Sequence, residues 1–208
     1  MSGGTSNTQA TFWQRHWFTV LAALLGVAIA ALVGYQYWAK SQIPVLKKMS
    51  DFTLENINGS TFQLSESNGK VRLVSFIFTH CPDVCPATTR YMADLQEQLK
   101  AKGLFGEKAA FITVSFDSER DTPEVLQKYA NTFNADPSGW YFLRGSEEAV
   151  QKVTKDFGIA AIKQPDGSYM HTTKIFLLDP DGNMRRIYGM AEEMNLEQIA
   201  ADIEQLAD

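Results

Sequence analysis

The chain has 208 residues, of which 45% are hydrophobic, and a formal net charge of -5. This acidic balance argues against a nucleic-acid-binding protein, which would carry a basic stripe. The part that follows residue 44 is long enough to bury one sizeable hydrophobic core. We therefore expect one folded domain and no nucleic-acid partner.

An apolar stretch near the N-terminus is long enough to cross a bilayer. Residues 17–38, WFTVLAALLGVAIAALVGYQYW, carry no charge and would form a helix about 33 Å long. Aromatic rings lie at both ends, as at membrane interfaces. A cleaved signal peptide would be shorter and would end in a small-residue cleavage site, which YQYWAKSQIP does not offer. We predict a flexible tail over 1–16, a transmembrane anchor over 17–38, a linker over 39–47 and a folded domain over 48–208.

The charges beside this stretch do not settle its orientation. Arg15 precedes it, whereas Lys40, Lys47 and Lys48 follow it. Counted alone, they would place the C-terminal domain in the cytoplasm. The rule is weak here because the charges are few and a long folded domain can be translocated regardless of them.

Beyond the anchor, strand and helix patterns alternate. Residues 51–64 carry an Asn58-Gly59 pair and read as a hairpin. Apolar runs predict buried strands over 70–78 and 109–117. Further elements are expected as helices over 87–102, 121–133, 146–158 and 195–207, and as strands over 139–145 and on both sides of the DPDG turn at 179–182. This order predicts an α/β fold, with a central sheet flanked by helices and an N-terminal hairpin.

The segment FTHCPDVCP, residues 78–86, holds the two cysteines of the chain, Cys81 and Cys85. It lies between a buried strand and a helix, at the sheet edge where α/β folds place their sites. Residues four apart share one face of a helical turn, and a helix N-terminus favours thiolates. Asp83 opposes that effect unless a cation or a basic partner lies nearby. The pair could be two buried thiols, a reversible disulfide or ligands of a soft metal such as Cu(I).

Three histidines could complete a metal site. His16 lies beside the anchor, and His80 is adjacent to Cys81, so that its side chain should diverge from the cysteine. His171 ends a turn-like segment, KQPDGSYMH at 163–171, and precedes the strand TTKIFLL. It is either a strand-edge residue without a role or a third ligand. We hypothesise that the 163–171 segment is mobile and brings His171 to the thiolates when metal arrives.

The segment DSERDTPE follows the second buried strand. Its charged residues Asp117, Glu119, Arg120 and Asp121 would lie at the same sheet edge as the cysteines. They could form a surface that meets a partner. Equally, they could belong to a solvated loop with a helix cap at its end.

Three stretches, FIFTHCPDVCPATTRYM, VSFDSERDTPEVLQKYA and MHTTKIFLLDPDG, resemble the SCO/SenC family of copper proteins for cytochrome c oxidase assembly. The resemblance spans most of residues 48–206. It implies a thioredoxin-like fold, a single-pass N-terminal anchor and a domain on the extracytoplasmic side. For the orientation, we give this resemblance more weight than the charges beside the anchor. We favour a bacterial plasma membrane as the location. It also implies that Cys81, Cys85 and His171 bind one copper, Cu(I) or Cu(II). The family often has Asp where Met170 stands, and this methionine is either an incidental neighbour or a soft auxiliary contact.

The resemblance implies a role in maturing the CuA centre of oxidase subunit II. The chain would act as a metallochaperone, with subunit II and other copper chaperones or thiol reductases as partners. The alternative is a thiol-disulfide oxidoreductase that reduces the cysteines of the acceptor. Cys81 would then attack and Cys85 would resolve the mixed disulfide. A copper-responsive regulator without transfer is a third possibility, although no second signalling domain is evident in the sequence.

Overall fold

A computed structural model describes residues 9–207, with side chains described over 16–35 and 42–207. It divides into two compact units, the first ending at Gln42 and the second starting at Ile43. The first unit is helix α1, Gln9–Ser41. Residues 1–8 of the expected flexible tail lie outside the described residues, and the rest of that tail is helical. Within α1, His16–Tyr35 has a mean hydropathy of 2.3 and no buried residues, so its length and composition suit a membrane span.

Ten strands and four α-helices form the described part of the second unit, residues 43–207. In chain order they are β1 Lys47–Lys48, β2 Thr53–Asn56, β3 Thr61–Gln63, β4 Val71–Ile77, α2 Val84–Ala101, β5 Ala109–Ser115, α3 Pro123–Thr132, β6 Trp140–Arg144, α4 Glu147–Phe157, β7 Ala161–Lys163, β8 Tyr169–His171, β9 Lys174–Leu178, β10 Asn183–Gly189 and α5 Leu196–Ala207. The predicted order is confirmed, with β1, β7 and β8 as additional strands.

Eight strands form one mixed sheet in the order β1-β10-β9-β4-β5-β6-β2-β3. The central strands β4, β5 and β6 are parallel, and the outer pairs are antiparallel. The expected hairpin is β2–β3, and Gly59 in its turn has a φ of +83°, a conformation that suits glycine. The predicted α/β fold, with a central sheet, flanking helices and an N-terminal hairpin, is thus confirmed.

Side-chain alternation along the central strands divides the core between the two faces of the sheet. On β4, Leu73 packs into the cluster formed with α2, α3 and α5. Its neighbour Val74 faces the opposite way, into the cluster that contains α4. There Phe157 of α4 meets the rings of Phe76 and Phe176, both at 5.1 Å between centroids. Helices therefore cover the sheet on both sides.

The second unit includes residues 43–47, which the sequence assigned to a linker. Ile43 is only 2% exposed, and its carbonyl accepts a hydrogen bond from Arg185 Nε at 3.0 Å. The amide of Leu46 donates to the Met184 carbonyl at 2.8 Å. These contacts join the segment to β10, because a buried side chain and paired backbone groups stabilise it there.

The parallel pairing of β4 and β5 determines where the site lies. Ile77, the last residue of β4, is paired with Ser115, the last residue of β5. The two loops that follow, 78–83 and 116–122, therefore emerge side by side from the carboxyl edge of the sheet. One carries Cys81, and the other is the charged segment identified in the sequence.

Candidate metal centre

The two cysteines lie on either side of the start of α2. Cys81 belongs to the loop after β4, and its amide donates to the Phe78 carbonyl at 3.2 Å. Cys85 lies in the first turn of α2, because this helix begins at Val84, three residues before the predicted start. The Cys85 amide points at Cys81 Sγ, 3.5 Å away. Both cysteines are free thiols, and Cys85 is fully buried whereas Cys81 is 9% exposed.

His171 reaches the sulfurs from a different part of the chain. It ends β8, which pairs with β7 in a separate two-stranded sheet. The strand expected after His171 is β9, and β8 is an additional strand before it. His171 Nε2 lies 3.9 Å from Cys85 Sγ, and the ligand atoms of Cys81, Cys85 and His171 all lie within 4.8 Å of one another. The structure therefore brings the three candidate ligands to one point.

The histidine ring is oriented by its own backbone neighbour. His171 Nδ1 lies 3.0 Å from the Thr172 carbonyl oxygen, which can only accept a hydrogen bond. Nδ1 therefore donates to this carbonyl, and Nε2 is the ring nitrogen that faces the sulfurs. Such a hydrogen bond on the second nitrogen is usual for metal-binding histidines.

Aromatic rings surround the histidine of this site. The His171 ring lies 5.9 Å from the Phe78 ring and 5.2 Å from the Phe116 ring, between centroids. Tyr169, on the same face of β8 as the histidine, packs on the same two phenylalanines. A negative charge on sulfur in such a setting is poorly solvated. The pocket therefore favours a cation that neutralises the thiolates.

The two thiols differ in their affinity for a proton. A hydrogen bond with Cys85 lowers the pKa of Cys81 to about 4, against the effect of burial and with help from the side chain of His171 and the backbone amides of Asp83 and Cys85. The hydrogen bond to Cys81, together with burial, raises the pKa of Cys85. The pair thus holds one proton at neutral pH, with Cys81 as the thiolate and Cys85 as the donor.

This donor set allows two kinds of chemistry. Two thiolates and one imidazole nitrogen form a soft, three-coordinate site that suits Cu(I), whereas a structural Zn²⁺ site needs a fourth ligand. Alternatively, a thiol with a lowered pKa beside a fully buried thiol suits thiol-disulfide exchange. Both kinds of chemistry would use Cys81 and Cys85, whereas only metal binding would use His171.

The other candidate residues of the second unit do not face the sulfurs. His80 is exposed, with Nδ1 3.3 Å from Thr79 Oγ1 and 4.0 Å from Asp121 Oδ1. His16 belongs to α1. Met170 is 67% exposed, since it alternates with the inward-facing Tyr169 and His171. Asp83 occupies the N-cap position of α2 without a side-chain capping hydrogen bond.

Sequence reasoning missed the role of two buried aspartates behind the cysteine loop. Asp121 accepts hydrogen bonds from the Thr79 amide at 3.1 Å and from Thr79 Oγ1 at 2.5 Å, and also from Ser115 Oγ. Asp117 is paired with Arg120. Neither aspartate is accessible to solvent, so the expectation of a partner surface or a solvated loop is wrong for both. The available signal was their position in the segment that follows β5, the strand next to the cysteine strand β4.

A comparison with protein families gives a match over the whole second unit. The family model described as SCO1/SenC matches residues 41–208. Among curated relatives, the SCO1 protein homolog of Bacillus subtilis is 31% identical over 163 residues, which are 77% of this chain and 83% of that protein.

Two solved structures have a similar fold. A structure that identifies a disulfide switch in BsSco, a member of the Sco family of cytochrome c oxidase assembly proteins, is 31% identical with a TM-score of 0.70, over 80% of this chain and 97% of the other. Bradyrhizobium japonicum ScoI with copper bound is 29% identical with a TM-score of 0.65, over 76% of this chain and 99% of the other. The expected thioredoxin-like fold is therefore confirmed.

Proposed function

The chain belongs to the SCO1/SenC family, and on that premise we propose that it is a copper metallochaperone of cytochrome c oxidase assembly. Cys81, Cys85 and His171 hold one copper ion. The observation that carries this proposal is the convergence of two sulfurs and one imidazole nitrogen within 4.8 Å. The copper-bound relative of similar fold supports it, as does the preference of Cu(I) for thiolates at low coordination number.

In this proposal copper is the cargo. The acceptor is subunit II of cytochrome c oxidase, whose CuA centre receives the ion. Two thiolates leave one excess negative charge on a Cu(I) site, which a positive acceptor surface would recognise. The ligands of the acceptor replace those of this chain one at a time, so that the ion never enters free solution. His171 is the natural first ligand to leave, because a neutral imidazole binds Cu(I) less strongly than a thiolate does.

Helix α1 anchors the protein to the membrane in a single pass. The support is the uncharged His16–Tyr35 segment, whose composition suits a bilayer core. The domain lies on the extracytoplasmic side, where the acceptor site would be met, and a bacterial plasma membrane is the favoured location. The anchor would restrict the search for the acceptor to the membrane surface, which raises their effective concentration.

Copper binding can be tested with the full chain in detergent micelles. The apoprotein, with its cysteines reduced, is loaded with Cu(I), and the stoichiometry and X-ray absorption spectrum are measured. We expect one copper per chain, with two sulfur ligands and one nitrogen ligand. The loaded protein is then mixed with the apo form of a soluble CuA domain, and the absorbance of the CuA centre should develop. A chain that binds no copper when reduced would contradict the proposal.

A second candidate function is reduction of the cysteines of the acceptor, and the unequal thiols favour it. Cys81 has the lowered pKa of an attacking thiolate and is 9% exposed, whereas Cys85 is fully buried. The Cys81 thiolate would attack an acceptor disulfide, form a mixed disulfide and release one acceptor thiolate. Cys85, as it loses its proton, would then attack Cys81 Sγ and release the second thiolate. Two electrons pass to the acceptor, and this chain keeps the Cys81–Cys85 disulfide.

A further inference from the structure

We propose that Arg120 is a positioning residue that holds the segment carrying His171 over the two sulfurs. We call this segment, Ala161–His171, the histidine hairpin; it consists of β7, β8 and the turn between them. Arg120 lies about 50 residues away in the chain, in the loop between β5 and α3. The proposal rests on the copper-binding function proposed above and specifies how the third ligand is kept in place.

Arg120 joins the turn of the hairpin to a buried carboxylate. Its Nη2 donates to the Gly167 carbonyl, and its Nε donates to Asp117 Oδ2. The guanidinium carbon lies 6.0 Å from the centroid of the Tyr169 ring, and the Tyr169 hydroxyl lies 3.5 Å from Asp117 Oδ1. One planar group thus contacts the hairpin turn, the aspartate and an aromatic ring of β8, a geometry that arginine but not lysine can satisfy.

The glycine at the hairpin turn permits this close approach. Gly167 has a φ of +81°, and a Cβ at this position would lie 3.1 Å from Arg120 Nη1. A residue with a side chain would be strained in this backbone conformation and would also crowd the guanidinium. The turn is therefore compatible with an arginine seated against its backbone.

The remaining attachments of the hairpin are limited. Within the described residues, β7 and β8 pair with each other and not with the eight-stranded sheet. Ile162 and Met170 on its outer face are 58% and 67% exposed. A cavity of about 180 Å³, lined by residues of the hairpin, of α4 and of the 116–119 segment, separates the hairpin from α4. Ring contacts of Tyr169 and His171 with Phe78 and Phe116 hold the inner face, so Arg120 supplies a polar tie at the turn.

The position of Tyr169 links Arg120 to the metal site. Tyr169 and His171 are two residues apart on β8 and therefore point to the same face of the strand. Both rings pack on Phe116, at 5.0 Å and 5.2 Å between centroids. If the turn and Tyr169 lost their tie, the strand would tilt, and Nε2 of His171 would spend less time near the sulfurs. A ligand that is less often in position binds the ion less tightly.

The test measures Cu(I) affinity of the full chain in detergent by competition with a chromophoric chelator. We expect Arg120→Gln to weaken binding on the order of 10-fold, the scale of losing a group that orients a metal ligand. The Cu(I) affinity of Arg120→Lys, which keeps the charge but not the planar fork, should lie between those of the wild type and Arg120→Gln. Glu119→Gln is the matched control: Glu119 pairs with Lys163 of the same hairpin at 2.7 Å, but this ion pair is exposed and should change affinity less than about 2-fold.

A double-mutant cycle identifies the path of the effect. If Arg120 acts through the histidine, Arg120→Gln should cause no further loss in a His171→Ala background. An equal loss in both backgrounds would overturn the proposal, because the arginine would then act on the cysteines or on the whole fold. Unchanged affinity in Arg120→Gln would overturn it as well, since the ring contacts would suffice.

A measurement on the copper-free protein separates this proposal from the proposed function. The ¹H–¹³C signals of the His171 ring report its position beside Phe78 and Phe116. We expect them to shift or broaden in Arg120→Gln and to stay unchanged in Glu119→Gln. If the wild-type chain bound no copper, the proposed function would be wrong, but these signals would still test whether Arg120 positions the histidine hairpin. Identical ring signals in the wild type and Arg120→Gln would contradict the positioning role itself.

Discussion

His171 Nε2 lies 3.9 Å from Cys85 Sγ, although 86 residues separate the two in the chain. Cys85 is fixed by the first turn of α2, and His171 by a hairpin that lies outside the main sheet. The ligands therefore belong to two structural parts, the cysteine loop with the start of α2 and a hairpin outside the main sheet. This arrangement suits an ion that must be both held and released.

The first prediction concerns the substitution His171→Ala. Loss of the imidazole should weaken Cu(I) binding by about 10- to 100-fold or more. Removing a residue that only hydrogen-bonds to a metal ligand already costs roughly that much, and here the ligand itself is removed. The thiols should still react, because Cys81 and Cys85 are intact. Chelator competition measures the affinity, and a thiol-specific reagent counts the cysteines.

His80→Ala is the matched control for this experiment. His80 is adjacent to Cys81 in the chain, but it is exposed and contacts Thr79 rather than the sulfurs. Its removal should leave copper affinity unchanged. If His171→Ala kept full copper affinity, the imidazole would not be a ligand, and the reductase, which uses only Cys81 and Cys85, would be the better description of the protein.

The second prediction concerns the pH dependence of Cys81. Its pKa falls from an ordinary 9.0 to about 4, and only the thiolate reacts with iodoacetamide. In the apoprotein, alkylation of Cys81 should therefore be near its maximum at pH 6 and should decline as the pH approaches 4. Cys85, whose pKa is raised, should react only at higher pH than Cys81. Mass spectrometry of peptides alkylated between pH 3 and 9 measures both rates. A Cys81 rate that rises only near pH 9 would contradict the assigned thiolate.

Much of the fold could be predicted because its signals are local. The Asn58-Gly59 turn and the apolar runs of β4 and β5 specify a hairpin and two buried strands. A cysteine pair after such a strand had to lie at the carboxyl edge of the sheet. The motifs also identified the family correctly, and with it His171 as a candidate ligand.

Other features depend on tertiary contacts and left little trace in the sequence. Strands β7 and β8 have three residues each, too few for a periodic pattern, and they are stabilised by packing on Phe78 and Phe116. Asp117 and Asp121 look like surface residues, yet both are buried, because arginine and hydroxyl groups of neighbouring segments satisfy their oxygens. Charge alone predicts exposure, and only the fold supplies these partners.

The third prediction tests Asp121 as the support of the cysteine loop. In Asp121→Ala the Thr79 amide, the Thr79 hydroxyl and the Ser115 hydroxyl lose their common acceptor. Buried donors without a partner should cost about 3 to 5 kcal/mol of unfolding free energy in total. Urea unfolding followed by near-UV circular dichroism measures this cost, and Cys81 should be alkylated faster in the loosened loop.

Glu124→Gln, at an exposed carboxylate in the first turn of α3, is the control. A loss no larger than that of the control would show that the loop is held by other contacts.

The last prediction separates stability from metal binding at the opposite end of β4. Arg72 is fully buried, and burial lowers its pKa to about 10, against the attraction of Asp179 and Asp181. It therefore stays charged at neutral pH. Its Nη1 donates to the carbonyls of Lys70 and Pro180, and its Nη2 lies 3.3 Å from Asn68 Oδ1.

Arg72→Ala would leave these acceptors unpaired and open a cavity, at a cost of about 3 to 5 kcal/mol in unfolding free energy. Copper affinity should remain that of the wild type in the folded fraction, because Arg72 lies near the start of β4 and the cysteines follow its end. Arg90→Ala is the control, since Arg90 is exposed on α2 and makes a surface pair with Asp94 worth under about 1 kcal/mol. Urea unfolding and chelator competition give the two quantities independently. If Arg72→Ala weakened copper binding as much as His171→Ala, the metal centre would depend on the whole sheet rather than on the local contacts of the cysteine loop and the histidine hairpin.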